Sequence, residues 1–356
     1  MTNPPPGTEN SSANRFDALR LVFASFVVIY HIIALAALDV AGSIDSAASH
    51  FADLGVKGFF VISGALVFGS FQRSADLRVY FSKRVRRLFP AYFVIVTLPT
   101  VAAIILALIN GASSIDVSSI AAYFGANVFF LNFLHPELPG FFDGNRFTAV
   151  NGALWTIKIE VMFYAIVPLI GVIMARLKEH RGLYFLLFLY IAGEVWRISF
   201  ESLADAGGNP LAVQIARQLP GQMAYFASGI ALWILRKDLQ AHIDRVGLIG
   251  AALIALSIAP YLDVLRPAGI AALIAFAAWA PGPKMAVTRW GDLSYGVYIT
   301  HFPIIQSLIV IGAFKMSPIL GTALAASLVF LSALAMWRWV ERPWLRKDSH
   351  YRRGAV

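Results

Sequence analysis

Arg15-Phe16-Asp17-Ala18-Leu19-Arg20 runs straight into an apolar stretch, Leu21 to Leu38, that carries one histidine, His31, inside it. The hydrocarbon core of a bilayer is about 30 Å thick and takes roughly 20 residues of apolar helix, so this stretch reads as a membrane span with charges at its mouth. A histidine within such a span is costly in lipid unless it faces a polar interior. Arg20 and His31 are eleven residues apart, close to three whole turns, so they share a helical face about 16 Å apart along the axis, with Asp17 about 40° off that stripe. One face therefore carries Asp17, Arg20 and His31, and it is a candidate site. A plainer reading stands beside it, in which Arg15 and Arg20 orient the helix in the membrane and His31 is a hydrogen bonder between helices.

The rest of the chain agrees with a membrane setting. Of 356 residues, 58% are hydrophobic and 14% charged, against about 25% charged in ordinary soluble domains. The apolar runs are long enough for helices and lack the alternation of barrel strands, so the expected fold is an all-α integral membrane bundle. The chain has no cysteine, which excludes disulfides, thiolate metal sites, iron–sulfur clusters and a cysteine acyl-enzyme. No bound cofactor and no metal are expected. Residues 1–14, rich in Pro, Asn, Ser and Gly, are expected to form a disordered cytoplasmic tail. The first apolar run has no small-residue cleavage site after it and reads as an uncleaved signal anchor.

Windows near 20 apolar residues fall at about 18–39, 55–72, 89–109, 152–175, 182–200, 217–235, 246–262, 266–281, 292–313 and 318–340, which makes about ten transmembrane helices. A shorter apolar stretch, 120–134, is read as a re-entrant or interfacial helix, because counting it as a span would place Arg176 to Arg181 outside and invert every later loop. The ten-span reading puts both termini in the cytoplasm. It also puts 22 of the 29 Lys and Arg at cytoplasmic ends, while Asp39, Asp45, Asp53, Asp116, Glu137, Asp143, Glu201 and Asp205 fall on the opposite side. The formal charge of +9 is thus a positive-inside signal rather than a nucleic-acid footprint. The expected surroundings are a lipid bilayer, with no nucleic-acid partner. No repeat or linker divides residues 15–343, which form one transmembrane domain, followed by a basic cytoplasmic tail at 344–356.

Several motifs could carry chemistry. In Tyr80-Phe81-Ser82-Lys83-Arg84-Val85-Arg86-Arg87-Leu88-Phe89-Pro90, Arg84 and Arg87 are neighbours on one helical face. Their planar forks suit bidentate phosphate binding, although basic runs beside a span also set topology or bind anionic lipid. The second span holds Gly58-Phe59-Phe60-Val61-Ile62-Ser63-Gly64, small residues that let helices approach, with Lys57 just before it in need of an acidic partner or a polar cavity. The fourth span opens Asn151-Gly152-Ala153-Leu154-Trp155-Thr156-Ile157-Lys158-Ile159-Glu160. Trp155 suits an interface, and Glu160 lies about 12 Å into the membrane if the helix starts at Gly152. His31, eight residues before Asp39, comes out at the same depth, so Glu160 and His31 are expected to meet, as a catalytic pair or a structural tie between helices. The ninth span holds Ser294-Tyr295-Gly296-Val297-Tyr298-Ile299-Thr300-His301, a second embedded histidine. Glu341-Arg342-Pro343-Trp344 reads as the structural stop of the last span.

Taken in order, Arg15-x-Asp17-x-x-Arg20 with His31, Phe59-Phe60-x-x-Ser63-Gly64, Arg84-x-x-Arg87-x-x-Pro90, Leu154-Trp155-Thr156-x-x-x-Glu160-x-x-Phe163-Tyr164, Ser294-Tyr295-x-x-Tyr298-x-x-His301 and Glu341-Arg342-Pro343 resemble membrane-bound acyltransferase family 3, the bacterial O-acyltransferases of surface polysaccharides. Lys57 and Lys158 resemble a subset associated with exopolysaccharide acetylation. The resemblance implies an inner-membrane, multi-pass enzyme that moves a short acyl group, most often acetyl, from cytoplasmic acyl-CoA (acetyl-CoA) as co-substrate to a hydroxyl of a surface or lipid-linked carbohydrate. It implies His31 as the catalytic residue and Arg84 with Arg87 as donor-binding. On this reading His31 takes the proton of the attacking hydroxyl, Glu160 and Asp17 belong to the catalytic set, Arg20 joins the donor site, and Lys57, Ser63, Trp155, Tyr298 and His301 are further candidates. The rival class is a transporter or flippase of a lipid-linked glycan with buried His and Glu as a proton relay. Transporters of that kind show inverted repeats or paired broken helices, and neither is visible in the sequence.

Overall fold

The computed structural model describes residues 15–110, 116–177, 179–282, 291–346 and 349. The tail expected over 1–14, the basic pair Lys284 and Arg289 and most of the tail over 344–356 lie outside the described residues. Among the described residues the fold is helical, with one isolated β-bridge between Glu137 and Ala149. In chain order the helices are α1 (Phe16–Leu35), α2 (Gly42–Gln72), α3 (Leu77–Asn110), α4 (Val117–Val128), α5 (Trp155–Arg176), α6 (Glu179–Gly207), α7 (Pro210–Ala216), α8 (Leu219–Ile234), α9 (Arg236–Ala241), α10 (Ile243–Leu256), α11 (Arg266–Trp279), α12 (Ser294–Val310), α13 (Ala313–Met316), α14 (Pro318–Ala335) and α15 (Arg342–Trp344).

Six of the described stretches, Phe16–Leu35, Gly42–Gln72, Leu77–Leu106, Gly152–Arg176, His180–Gly207 and Pro318–Trp344, are long and apolar enough to cross a membrane. The other four expected spans each contain a helix, α8, α10, α11 and α12, of 14 to 17 residues, about 21 to 26 Å long. Along α6 the exposed side chains Tyr184, Leu187, Phe188, Ile191 and Val195 recur at helical spacing. A continuous apolar face of this kind is at home in lipid and would be an aggregation patch in water. The protein is a multi-pass membrane protein.

The helix expected over 120–134 is shorter and displaced. α4 ends at Val128 because Phe130 takes a φ of 62° and the Asn127 amide donates to Tyr123 O and His135 O at 2.8 Å each, pinning a turn. At 12 residues it spans about 18 Å, well short of the hydrocarbon core. Its start is capped by Asp116, which accepts from the Ser118 and Ser119 hydroxyls at 2.7 and 2.8 Å and from Ser118 N at 2.9 Å. Those hydroxyls hold its carboxyl below its ordinary value.

α2 is the centre of the bundle, packed between α1, α5 and α8. It meets α8 backbone to backbone: a Cβ on Gly64 would lie 2.2 Å from Phe226 O, and one on Gly229 would lie 2.0 Å from Val61 O. Phe163 and Phe226 stack beside this crossing, centroids 3.9 Å apart. α1 and α12 touch at two levels, Arg20 to Asp292 at one end and His31 to His301 further along both chains. They therefore run parallel. After α14 the last span continues as a π-helical turn, Met336–Glu341, whose extra residue per turn rotates the ladder and brings Trp337 and Glu341 inward while Trp339 stays exposed.

Candidate active site

At the Arg20 end of the bundle four charged side chains from four elements form one buried network. Asp292 Oδ2 accepts from Arg20 Nη1 at 2.6 Å and from Arg87 Nη2 at 2.5 Å, and its Oδ1 accepts from Ser294 Oγ at 2.6 Å and Ser294 N at 3.2 Å. Arg87 also donates through Nη1 to Glu341 Oε2. Gly291, at φ 94° with no room for a Cβ beneath Trp337, sets Asp292 in place. Two guanidinium groups and two carboxylates cancel, which is what allows charges to sit at 1 to 7% side-chain exposure for Asp292, Glu341 and Arg87. Asp17 lies within reach of the charges of Asp292, Arg20 and Arg87. Glu341, read from the sequence as part of a structural stop, is a full member of this network. Its signal was the ionisable residue at the end of an apolar span.

Above the network is a cavity that opens to the outside of the bundle. Its walls are α2 from Val56 to Val67, α5 from Thr156 to Tyr164, and Ser294, Tyr295 and Tyr298 of α12, with Arg20, Arg84 and Arg87 at one end. The eleven steps along α2 from Val56 to Val67 correspond to about 16 Å of length. Arg84 donates to Ser70 Oγ at 3.1 Å and sits over the Tyr164 ring at 5.6 Å. Its Nε and the Ser63 hydroxyl are buried with no hydrogen-bond partner among the described residues. Glu160 lines the same cavity and accepts a hydrogen bond from Tyr164. At the far end Thr156 Oγ1 and Tyr298 Oη are 2.7 Å apart, with Phe59 edge-on to the Tyr298 ring.

Beyond Tyr298 the two embedded histidines meet. His301 Nε2 is 2.9 Å from His31 Nδ1, and His301 Nδ1 is 2.7 Å from Tyr298 O. The partner expected for His31 was Glu160, and the structure corrects this. The Asn151–Gly152 start of the fourth span is not at a membrane surface: Val150 and Asn151 are buried, Asn151 donates to Ile299 O at 2.8 Å, and Gln306 ties down Phe147 O and Ala149 O above it. The entry to α5 is thus already level with His301. Glu160, eight or nine residues further on, lies about 12 Å away toward the arginine end.

Of the other candidates, Lys57 finds the acidic partner it needed, Asp53 at 2.6 Å on its own helix, with Tyr225 5.5 Å below it, and Lys158 donates to Gln218 at 2.6 Å. Neither lines the cavity. Trp155 packs half-buried against the core, next to Thr156 in the chain. Among the described residues no group of His, Asp or Glu is arranged to hold a metal ion.

The fold and site define a helical membrane bundle with buried arginines at one end of a cavity and a pair of embedded imidazoles beyond the other. The chain belongs to acyltransferase family 3, whose acyltransferase domain matches residues 14–338. Nodulation protein 10 of Rhizobium leguminosarum bv. viciae is 28% identical over 332 residues, 86% of this chain and 87% of that protein. The O-acetyl transferase of Shigella phage Sf6 is 27% identical over 359 residues, 95% of this chain and 97% of that one. No solved structure matches the chain significantly. The protein is an O-acyltransferase.

Proposed function

We propose that this enzyme transfers a short acyl group, acetyl in the first instance, from cytoplasmic acyl-CoA to a carbohydrate hydroxyl presented at the opposite face of a bacterial inner membrane, with His31 as general base. The observation that carries this reading is the line formed by Arg84, the cavity and the His31–His301 pair. Among the described residues Arg84 is paired with no carboxylate, and its Nε and the Ser63 hydroxyl lack protein partners in a cavity wall. A polar, elongated ligand would relieve both, each worth about 1–3 kcal/mol if left unmet. Arg20 and Arg87 are already engaged by Asp292 and Glu341, so on this reading they shape and neutralise the donor site while Arg84 makes its open contact. The thioester then travels past Tyr298 to His31, about 16 Å beyond Arg20 along α1. There the hydroxyl proton passes to His31, the oxygen attacks the thioester carbonyl, the C–S bond breaks, and the same proton leaves on the thiolate. The printed name of the phage relative supports acetyl as the group moved.

A topology of ten spans with both termini inside fits the parallel run of α1 and α12, which requires an odd number of crossings between them. The helices α2, α3, α5, α6, α8, α10 and α11 supply seven; a crossing α4 would make the number even. The test uses sealed right-side-out vesicles holding the full-length protein. Labelled acetyl-CoA loaded inside should acetylate an external carbohydrate acceptor, acetyl-CoA outside should give nothing, and His31→Ala should lower the rate by 10²-fold or more. Product from external donor alone would overturn the trans-bilayer reading, and a His31→Ala enzyme at wild-type rate would remove His31 as the base.

A further inference from the structure

Resting on the reading of His31 as the base, we infer that His301 is the positioning residue that selects its tautomer, so that the catalytic nitrogen is His31 Nε2. The argument follows hydrogens along the chain of contacts. Tyr298 O is a carbonyl and only accepts, so the 2.7 Å bond to it puts a hydrogen on His301 Nδ1. A neutral imidazole carries one hydrogen, which leaves His301 Nε2 as a bare acceptor. The 2.9 Å contact from His301 Nε2 to His31 Nδ1 therefore takes its hydrogen from His31 Nδ1. His31, neutral in turn, has its lone pair on Nε2, the nitrogen not turned to His301.

The opposite polarity would need a second hydrogen on His301, an imidazolium. His301 is 0% exposed, and among the described residues no carboxylate bonds to either ring, so a buried, unpaired cation would result, at a cost far above that of the neutral pair. The backbone of α12 supplies the anchor. Tyr298 O is held at the ring nitrogen three residues on, and the tilted contact of His31 with His301, centroids 4.9 Å apart at 31°, with Phe302 edge-on to His31 at 5.3 Å between centroids, keeps both rings from turning. When His31 takes the hydroxyl proton on Nε2, its Nδ1–H remains donated to His301, which steadies the imidazolium without itself changing charge. The role is the one a carboxylate plays in a serine triad, filled here by a neutral acceptor.

The test reads the tautomer directly. Histidine-selective 15N labelling of the full-length protein in lipid, with signals assigned by loss in His31→Ala and His301→Leu, should show His31 protonated at Nδ1 and bare at Nε2 in the resting enzyme. A His31 protonated at Nε2 overturns the proposal whatever the activity. In kinetics, His301→Gln offers an amide oxygen near the lost Nε2 and should keep a rate within about tenfold of wild type, whereas His301→Leu, similar in bulk with no acceptor, should lose about 10²-fold in kcat with little change in KM for acyl-CoA. Equal rates for Leu and Gln variants that are shown to be folded would overturn it. His31→Ala retaining activity would fail the general-base reading instead, and leaves the NMR result to decide the tautomer.

Discussion

Asp292 is the residue on which the arginine end of the bundle depends. One carboxylate takes Arg20 and Arg87 at 2.6 and 2.5 Å and both groups of Ser294, so removing its charge strips two buried guanidinium groups of the carboxylate they share. Asp292→Asn should destabilise by about 3–5 kcal/mol, seen as a lower unfolding midpoint in detergent. Arg87→Met with Glu341→Gln should lose less than the two single changes added, since each single change strands a charge that the pair removes together. A midpoint for Asp292→Asn equal to wild type would show that the network is not what holds these helices. Glu160 is the contrasting case. It lies in the cavity with Arg84 and away from the imidazoles, so Glu160→Gln should alter KM for acyl-CoA while leaving the pH profile of kcat where it was. A displaced profile would put Glu160 back beside His31.

At the level of elements, the α2–α8 crossing positions both halves of the site, because α2 carries the cavity wall from Val56 to Val67 and its register against α1 and α5 follows from how closely α8 approaches. Glycine at 64 and 229 lets the two backbones come within contact, and a Cβ at either would fall at 2.2 or 2.0 Å from a carbonyl oxygen. No side chain can yield there, since the obstacle is backbone. Gly229→Leu should therefore cost at least the 1–3 kcal/mol typical of overpacking and sharply reduce the monodisperse fraction on size-exclusion chromatography. Gly207→Ala, where nothing lies within 4 Å, is the control. A well-behaved Gly229→Leu protein would mean that α8 can slide without loss. The π-helical turn Met336–Glu341 works at the same scale, since a regular helix there would carry Glu341 off the network by part of a turn.

For the whole molecule, the absence of cysteine makes topology directly measurable. Single cysteines at Ser43 and Ala206 should label from outside intact cells, and at Ser74 and Ser349 only after permeabilisation. External labelling of Ser74 would invert the arrangement and with it the cytoplasmic donor entry proposed above. What the sequence determined by itself was the membrane setting, the helical class and the identity of the polar residues inside the apolar runs, because hydropathy and helical period are local properties that need no partner. It also placed Asp17, Arg20 and His31 on one stripe. Only the tertiary structure decided who meets whom across helices. Depth counted from a presumed helix end paired His31 with Glu160, whereas the start of α5 is buried at the level of His301, and no local signal records how far a loop sinks into the bundle. Glu341 likewise joined Arg87, 254 residues away, through a π turn that its apolar neighbours do not announce. Which imidazole faces which carboxylate is a property of packing between helices, and packing is settled by all of them together.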